Sequence, residues 1–158
     1  NITRGQVARM YYRAAGAPDV SGLPPHGFTD VTAFFEDAVR WAKANGVFDG
    51  FNDNTFRQAN PITRGNFTRS LYGLAGAPDT SSLPGHGFTD VTAFYEDAVT
   101  WAAANGLADG FNDNTFRQRN NIKRGNASRI TYNLAQTPAA WDDPDTAPAN
   151  MLFRPNTT

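Results

Sequence analysis

Apolar and polar positions change their period from one stretch of the chain to the next. Phe34, Ala38 and Ala42 stand at i, i+4 and i+8, with Phe35 and Val39 beside them, and this spacing predicts an amphipathic helix. Glu36 and Asp37 near its start suit the helix dipole. Asn45-Gly46 predicts its end, because glycine accepts the left-handed conformation of a C-terminal cap. Asp49-Gly50-Phe51-Asn52-Asp53-Asn54 is turn chemistry, followed by a short extended piece expected at Thr55-Phe56-Arg57. Thr63 then caps a second helix with Phe67, Leu71, Leu74 and Ala75 inward. The stretch Gly76–Gly85 holds Pro78 and Pro84 and reads as a non-helical linker.

This helix–loop–helix pattern repeats with a step of 60 residues. Ile2-Thr3-Arg4-Gly5 returns as Ile62-Thr63-Arg64-Gly65 and as Ile122-Lys123-Arg124-Gly125. His26–Val31 returns as His86–Val91, Trp41 as Trp101, and Asp49–Arg57 as Asp109–Arg117. The chain therefore reads as the second half of one unit (1–16), two full units (28–76 and 88–136) and a Pro-rich irregular tail (137–158). Thr3 with Gln6 makes a capping box, whereas Lys123 forfeits that cap. The leading half-unit implies a segment of a longer protein, with an apolar face at Val7, Met10, Tyr11 and Ala14 left for another chain or the tail to cover. A two-helix unit cannot bury its apolar faces alone, so neighbouring units must pack together.

Composition narrows the function. Fourteen Lys+Arg against 15 Asp+Glu leave a net charge of −1, which provides no basic field for nucleic acid or anionic membrane. The absence of cysteine excludes disulfides and thiolate chemistry. No apolar stretch approaches the ~20 residues of a membrane-spanning helix. His26 and His86 lack a surrounding ligand cluster, and the Asp49–Asp53 loop lacks EF-hand spacing, so no metal and no cofactor is expected. Glu36-Asp37 and Glu96-Asp97 are adjacent on a helix and point apart, which does not suit a pair of carboxylates flanking a glycosidic bond. No nucleophile, phosphate-loop or zinc motif is present, and an enzyme is not expected. The four Asn-x-Ser/Thr triplets are read as coincidental.

The landmarks Phe28-Thr29-Asp30-Val31, Ala38-Val39-Arg40-Trp41-Ala42, Asn45–Arg57 and Pro61-Ile62-Thr63-Arg64, repeated sixty residues later, resemble the S-layer homology (SLH) repeat. The resemblance implies a mainly α fold of tandem helix–loop–helix repeats about a pseudo-threefold axis, with short extended segments. It implies non-covalent attachment to secondary cell-wall polysaccharide, often pyruvylated, on the bacterial surface. Where the family ends its motif in Thr-Arg-Ala-Glu, this chain has Arg64-Gly65-Asn66, Arg124-Gly125-Asn126 and Arg4-Gly5-Gln6. The tail sequence Phe153-Arg154-Pro155-Asn156 resembles the family's loop and is a candidate to complete the leading half-unit.

The expected glycan-binding residues are Arg4, Arg64, Arg124, Trp41, Trp101, Gly50, Gly110, Asp30 and Asp90. Each Arg opens a second helix, where free N–H groups favour an anion and a guanidinium can hold a carboxylate in a bidentate pair. The same Arg can instead tie units together through Asp30 or Asp53. The two Trp rings suit either a sugar-binding groove or the core between units. Gly50 and Gly110 permit close approach of a ligand or serve a turn. Asp30 and Asp90 suit an N-cap or an orienting partner for the Arg. The sequence thus predicts a non-catalytic anchoring module for an acidic wall polysaccharide, located outside the cell. The alternative is a structural or self-assembling module whose partners are copies of itself or other surface proteins.

Overall fold

The computed structural model describes residues 1–142, and over them the chain is mainly helical. Five helices follow in order: α1 (Arg4–Ala14), α2 (Ala33–Ala44), α3 (Arg64–Leu74), α4 (Glu96–Ala104) and α5 (Arg124–Ala135). Short 3-10 turns cover Ala93–Tyr95 and Pro138–Ala140. Helix starts and stops follow local chemistry. Thr3 Oγ1 accepts the Gln6 N–H at 3.3 Å while Gln6 Oε1 accepts the Thr3 N–H at 3.0 Å, completing the capping box. Thr63 caps α3 by accepting the Asn66 N–H, and Lys123 provides no side-chain cap to α5. Helix α2 stops at Asn45, followed by Gly46 at φ +68°.

The inward stripe of α2 differs from the expected one. Ala38, Val39, Trp41 and Ala42 are buried, whereas Phe34 is 67% exposed. Positions 38, 41 and 42 share a face at i, i+3 and i+4. Phe34 lies in the first turn, on the surface, under the Arg9 guanidinium at 3.9 Å from its ring centre. The inward residues expected for α3 are all buried.

Helices pair across the unit boundary, α1 along α2 and α3 along α4. Val7, Tyr11, Val39, Trp41, Phe67, Leu71 and Trp101 share one core. The Tyr11 hydroxyl reaches Ser70 Oγ at 3.0 Å, and burial pushes its phenol pKa up. Val7 and Tyr11 are fully buried within this chain, so the apolar face expected to await a partner is already covered at those positions.

The three repeat-equivalent isoleucines join the units. Ile62 N–H donates to Ile2 O at 3.0 Å, Ile122 N–H to Ile62 O at 3.0 Å, and Ile2 N–H to Ile122 O at 3.3 Å. These bonds form a closed cycle with all three side chains buried. Isolated antiparallel bridges join Thr3 to Pro61 and Thr63 to Asn121. The bridged extended residues therefore lie here, whereas Thr55–Arg57 forms no bridge and Arg57 turns to φ +60°. Each unit needs only a residue or two of extended backbone, enough to reach its neighbours but too little for a strand.

Past α5 the chain folds back onto the core. Ala140 and Trp141 are buried, Trp101 Nε1–H donates to Ala140 O at 2.7 Å, and Trp141 Nε1–H donates to Leu134 O at 3.2 Å. The first residues of the expected irregular tail are therefore packed. Phe153–Asn156 lies outside the described residues. Among those described, no helix is long and apolar enough to cross a membrane.

Two outcomes follow from this packing. Trp101→Ala should cost about 3–5 kcal/mol in denaturant unfolding, while Phe94→Ala, at a 60% exposed ring, should stay within about 0.5 kcal/mol. Comparable losses would contradict the assigned core. Asp53 and Asp113 accept bonds from the Thr55 and Thr115 hydroxyls, which above all hold both carboxyls below the usual aspartate range. The unfolded chain takes up these protons first. The stabilisation is thus present above the ordinary aspartate pKa and is lost as pH falls through the depressed one. Asp53→Asn/Asp113→Asn should flatten the decline in melting temperature between about pH 4 and pH 2; an unchanged slope contradicts this.

Candidate functional site

The arginine that opens each second helix meets its neighbouring unit first. Arg4 N–H donates to Asn60 O at 3.0 Å and Gly5 N–H to Gln58 O at 2.9 Å; Arg64 N–H and Gly65 N–H make the same bonds to Asn120 O and Gln118 O. The helix-start amides expected to hold an anion therefore hold carbonyls of the next unit in α1 and α3. Gly65 shows why a residue without Cβ opens these helices. A Cβ there would lie 2.8 Å from Tyr95 Cε1, closer than packing allows.

The guanidiniums are ordered from locked to open. Arg4 is 6% exposed, its Nε–H donates to Phe56 O at 2.7 Å, and its head lies within about 5 Å of the ring centres of Phe48, Phe51 and Phe56. Burial, with Arg57 adding to it, pulls its pKa down to about 10, so it remains charged at neutral pH. Arg64 repeats the bond to Phe116 O at 2.9 Å, adds one to Asp109 O at 2.9 Å, and is only half-buried. Arg124 is exposed and donates to Gln6 Oε1 at 3.2 Å. None of the three forms an ion pair with Asp30 or Asp53 among the described contacts; Asp53 pairs with Arg57 at 3.1 Å instead.

The structure corrects three expectations. Trp41 and Trp101 are 4% and 1% exposed, packed against Tyr12 and Tyr72, so neither indole offers a face to a ligand. They belong to the inward stripe of α2 and α4, and between-unit packing consumes both faces. Asp30 neither caps α2 nor contacts the helix-opening Arg. Its two oxygens accept the Phe56 and Arg57 N–H groups, each at 2.7 Å, and Asp90 braces Phe116 and Arg117 in the same way. Gly50, at φ +76°, is filled on its Cβ side by the Phe28 ring, 2.1 Å from where a Cβ would stand; Gly110 faces Phe88 likewise. The glycines thus admit an internal ring, although Gly50 also lines the groove described next. The His26 and His86 side chains are nearly buried. Each Nδ1 accepts an N–H from Phe28 or Phe88, and each Nε2 meets Glu36 or Glu96.

What these braces shape is a groove of about 650 Å³. Its walls are the loop Gly46–Asn52, the start of α1 at Arg4, α3 at Asn66, Arg69 and the buried Ser70, and the turn into α4 at Phe94 and Tyr95. Phe94 and Tyr95 meet edge to face at 4.9 Å, and Tyr95 Oη donates to Asn66 Oδ1 at 3.2 Å. Sixty residues on, Arg64, Asp109, Asn126 and Arg129 line a cavity of only about 30 Å³, with Ala108 in place of Phe48 and Ile130 in place of Ser70; its aromatic lining residue among those described is the buried Phe116. Among the described residues the two repeats therefore build cavities of very unlike size. Among the described residues no group of three or more His, Cys, Asp or Glu is placed to hold a metal.

Sequence reasoning did not single out Arg69, Phe94, Tyr95 or Asn66. A signal was present: Arg9, Arg69 and Arg129 recur at the 60-residue step, each five residues after a helix-opening Arg.

Comparison with known proteins accords with this architecture. The S-layer homology domain matches residues 27–68 and 87–127. Cell surface glycoprotein 1 of Acetivibrio thermocellus is 28% identical over 137 residues, covering 78% of this chain but 6% of that protein. The chain thus spans a small fraction of that relative's length. No solved structure matches. Two matched repeats in register with the 60-residue step, each carrying the aspartate brace described above, place the chain in the S-layer homology domain family.

Proposed function

We propose that this chain is a non-catalytic anchoring module that holds a larger exported protein at the bacterial cell surface by binding an acidic cell-wall polysaccharide, of which a pyruvylated glycan is the fitting class. Membership of the S-layer homology family and similarity to a protein named as a cell surface glycoprotein support the location. The cyclic order of the isoleucine bonds supports a pseudo-threefold arrangement of units. The observation that carries the reading is the groove of about 650 Å³ between α3 and the loop Gly46–Asn52, which combines guanidinium, amide and phenol groups with an exposed aromatic ring. Such a mixture of few polar groups and an aromatic wall is what orients a saccharide without transforming it.

One charge-assisted contact contributes about 1.5–3 kcal/mol, which alone is weak binding. Several copies of a module along one polymer raise avidity by about 10²–10⁴, so a modest groove suffices for anchoring. A self-assembling surface-layer role is the second reading. Exposed Phe34 and Tyr132, at 67% and 64%, favour it.

Sedimentation with bacterial sacculi tests the first reading. The protein should pellet with intact sacculi and remain in solution with sacculi stripped of their polysaccharide; equal pelleting in both contradicts it. Light scattering tests the second: a concentration-dependent rise in mass supports self-assembly, and a constant monomer mass excludes it.

A further inference from the structure

The groove contains a side-chain pair that the helix-opening arginines do not explain. Arg69 lies with its guanidinium carbon 4.0 Å from the centre of the Phe94 ring, close enough for direct stacking. Its Nη1 is 3.8 Å from Asp49 Oδ2 on the opposite wall. Both ends of that ion pair are open to water, with side-chain exposures of 38% and 69%, so it contributes little and exchanges readily. A guanidinium has five N–H donors in a fixed fork, and one distant carboxylate oxygen leaves most of them for a ligand. Phe94 is itself 60% exposed and is steadied by the edge of Tyr95.

Arg4 is the competing candidate for anion contact, and its surroundings assign it another task. Its Nε–H is committed to Phe56 O, its head is packed among three phenyl rings, and its burial ties the loop of one unit to the helix of another. Holding a ligand there would require disturbing the joint on which the fold relies. Arg69 can turn toward a ligand without moving the backbone.

The repeat provides internal controls. Arg129, the counterpart of Arg69, faces Asp109 at 3.6 Å but has no aromatic partner among the described residues and lines a cavity of only about 30 Å³. Arg9 stacks on Phe34 at 3.9 Å but lines neither cavity. Stacked guanidinium, exposed ring and roomy groove coincide at Arg69 and Phe94.

We infer that Arg69 and Phe94 form the specificity-determining contact of the groove, the guanidinium taking the carboxylate of an acidic sugar while the phenyl ring packs against the apolar face of that sugar. This rests on the glycan-binding reading above and assigns the acid recognition within it to residues outside the helix-opening motif. Asp49 and Asp97 also line the groove. Asp97 accepts a bond from the Thr80 hydroxyl at 3.1 Å, and Asp49 meets Arg69 at Nη1 alone, so the remaining donors of the fork are left for a bound carboxylate.

The test is calorimetric titration of the whole chain with polysaccharide released from sacculi, used both native and with its carboxyl groups reduced to alcohols. The unaltered protein should bind the native polymer at least about tenfold more tightly than the reduced one. Arg69→Ala should lose about tenfold or more on the native polymer and no longer distinguish the two, Phe94→Ala should weaken binding to both, and Arg129→Ala should match the unaltered protein. Thermal melts unchanged for all three variants keep folding out of the comparison. Arg69→Ala binding the native polymer within twofold of the unaltered protein overturns the inference while leaving the broader reading standing. Equal binding of native and reduced polymer by the unaltered protein overturns it as well. Failure of the unaltered protein to bind either polymer removes the broader reading and the inference together.

Discussion

A closed cycle of three backbone hydrogen bonds sets the geometry of this molecule. Each repeat contributes one isoleucine whose N–H serves one neighbour and whose carbonyl serves the other. A donor and an acceptor at every position leave no buried peptide group unpaired at the junction, which is the condition for burying backbone at all. The cycle also fixes where the next helix starts. Two residues beyond Ile2 and Ile62, the amides of Arg4 and Arg64 dock on carbonyls of the following unit. The arginine side chain then reaches over to Phe56 or Phe116 and secures that unit's loop from the other side. Backbone cycle, helix start and guanidinium clamp form one continuous joint.

This joint explains why near-identical sequence repeats produce unlike grooves. A groove needs a loop from one unit, a second helix from the same unit and an aromatic turn from the next. Only the central position, between the loop Gly46–Asn52 and the turn Phe94–Tyr95, brings all of these together among the described residues. The substitutions Phe48 to Ala108 and Ser70 to Ile130 across the repeat accompany the difference, exchanging a buried phenyl and a buried hydroxyl that back the groove. Function in a repeat protein depends in this way on the neighbours a unit has as well as on the residues it carries.

Much of the scaffold was legible in the residues themselves. Thr3 with Gln6, Thr63, Asn45-Gly46 and the Phe67–Ala75 stripe act through neighbours within a turn or two, and each behaves as its local chemistry dictates. The site was less legible because its contacts span tens of residues. Nothing in the neighbourhood of Asp30 announces that it will brace the amides of Phe56 and Arg57, and no helical period reveals that Trp41 is enclosed by Tyr12 from the preceding unit. Arg4 illustrates the difference most sharply. Its recurrence draws the eye, but its chemistry turns inward, toward a carbonyl and three rings, while the recurrent Arg69, five residues after Arg64, is open to water.

The central groove is the proposed point of contact between an otherwise inert helical joint and a ligand. Chemical-shift mapping of the backbone amides during titration with released wall polysaccharide addresses this most directly. The largest changes should cluster at Gly50, Asn52, Asn66, Ser70 and Tyr95, the residues surrounding the cavity. Saturable shifts confined to the open start of α5, or to the surface around Arg57 and Phe51, would contradict it.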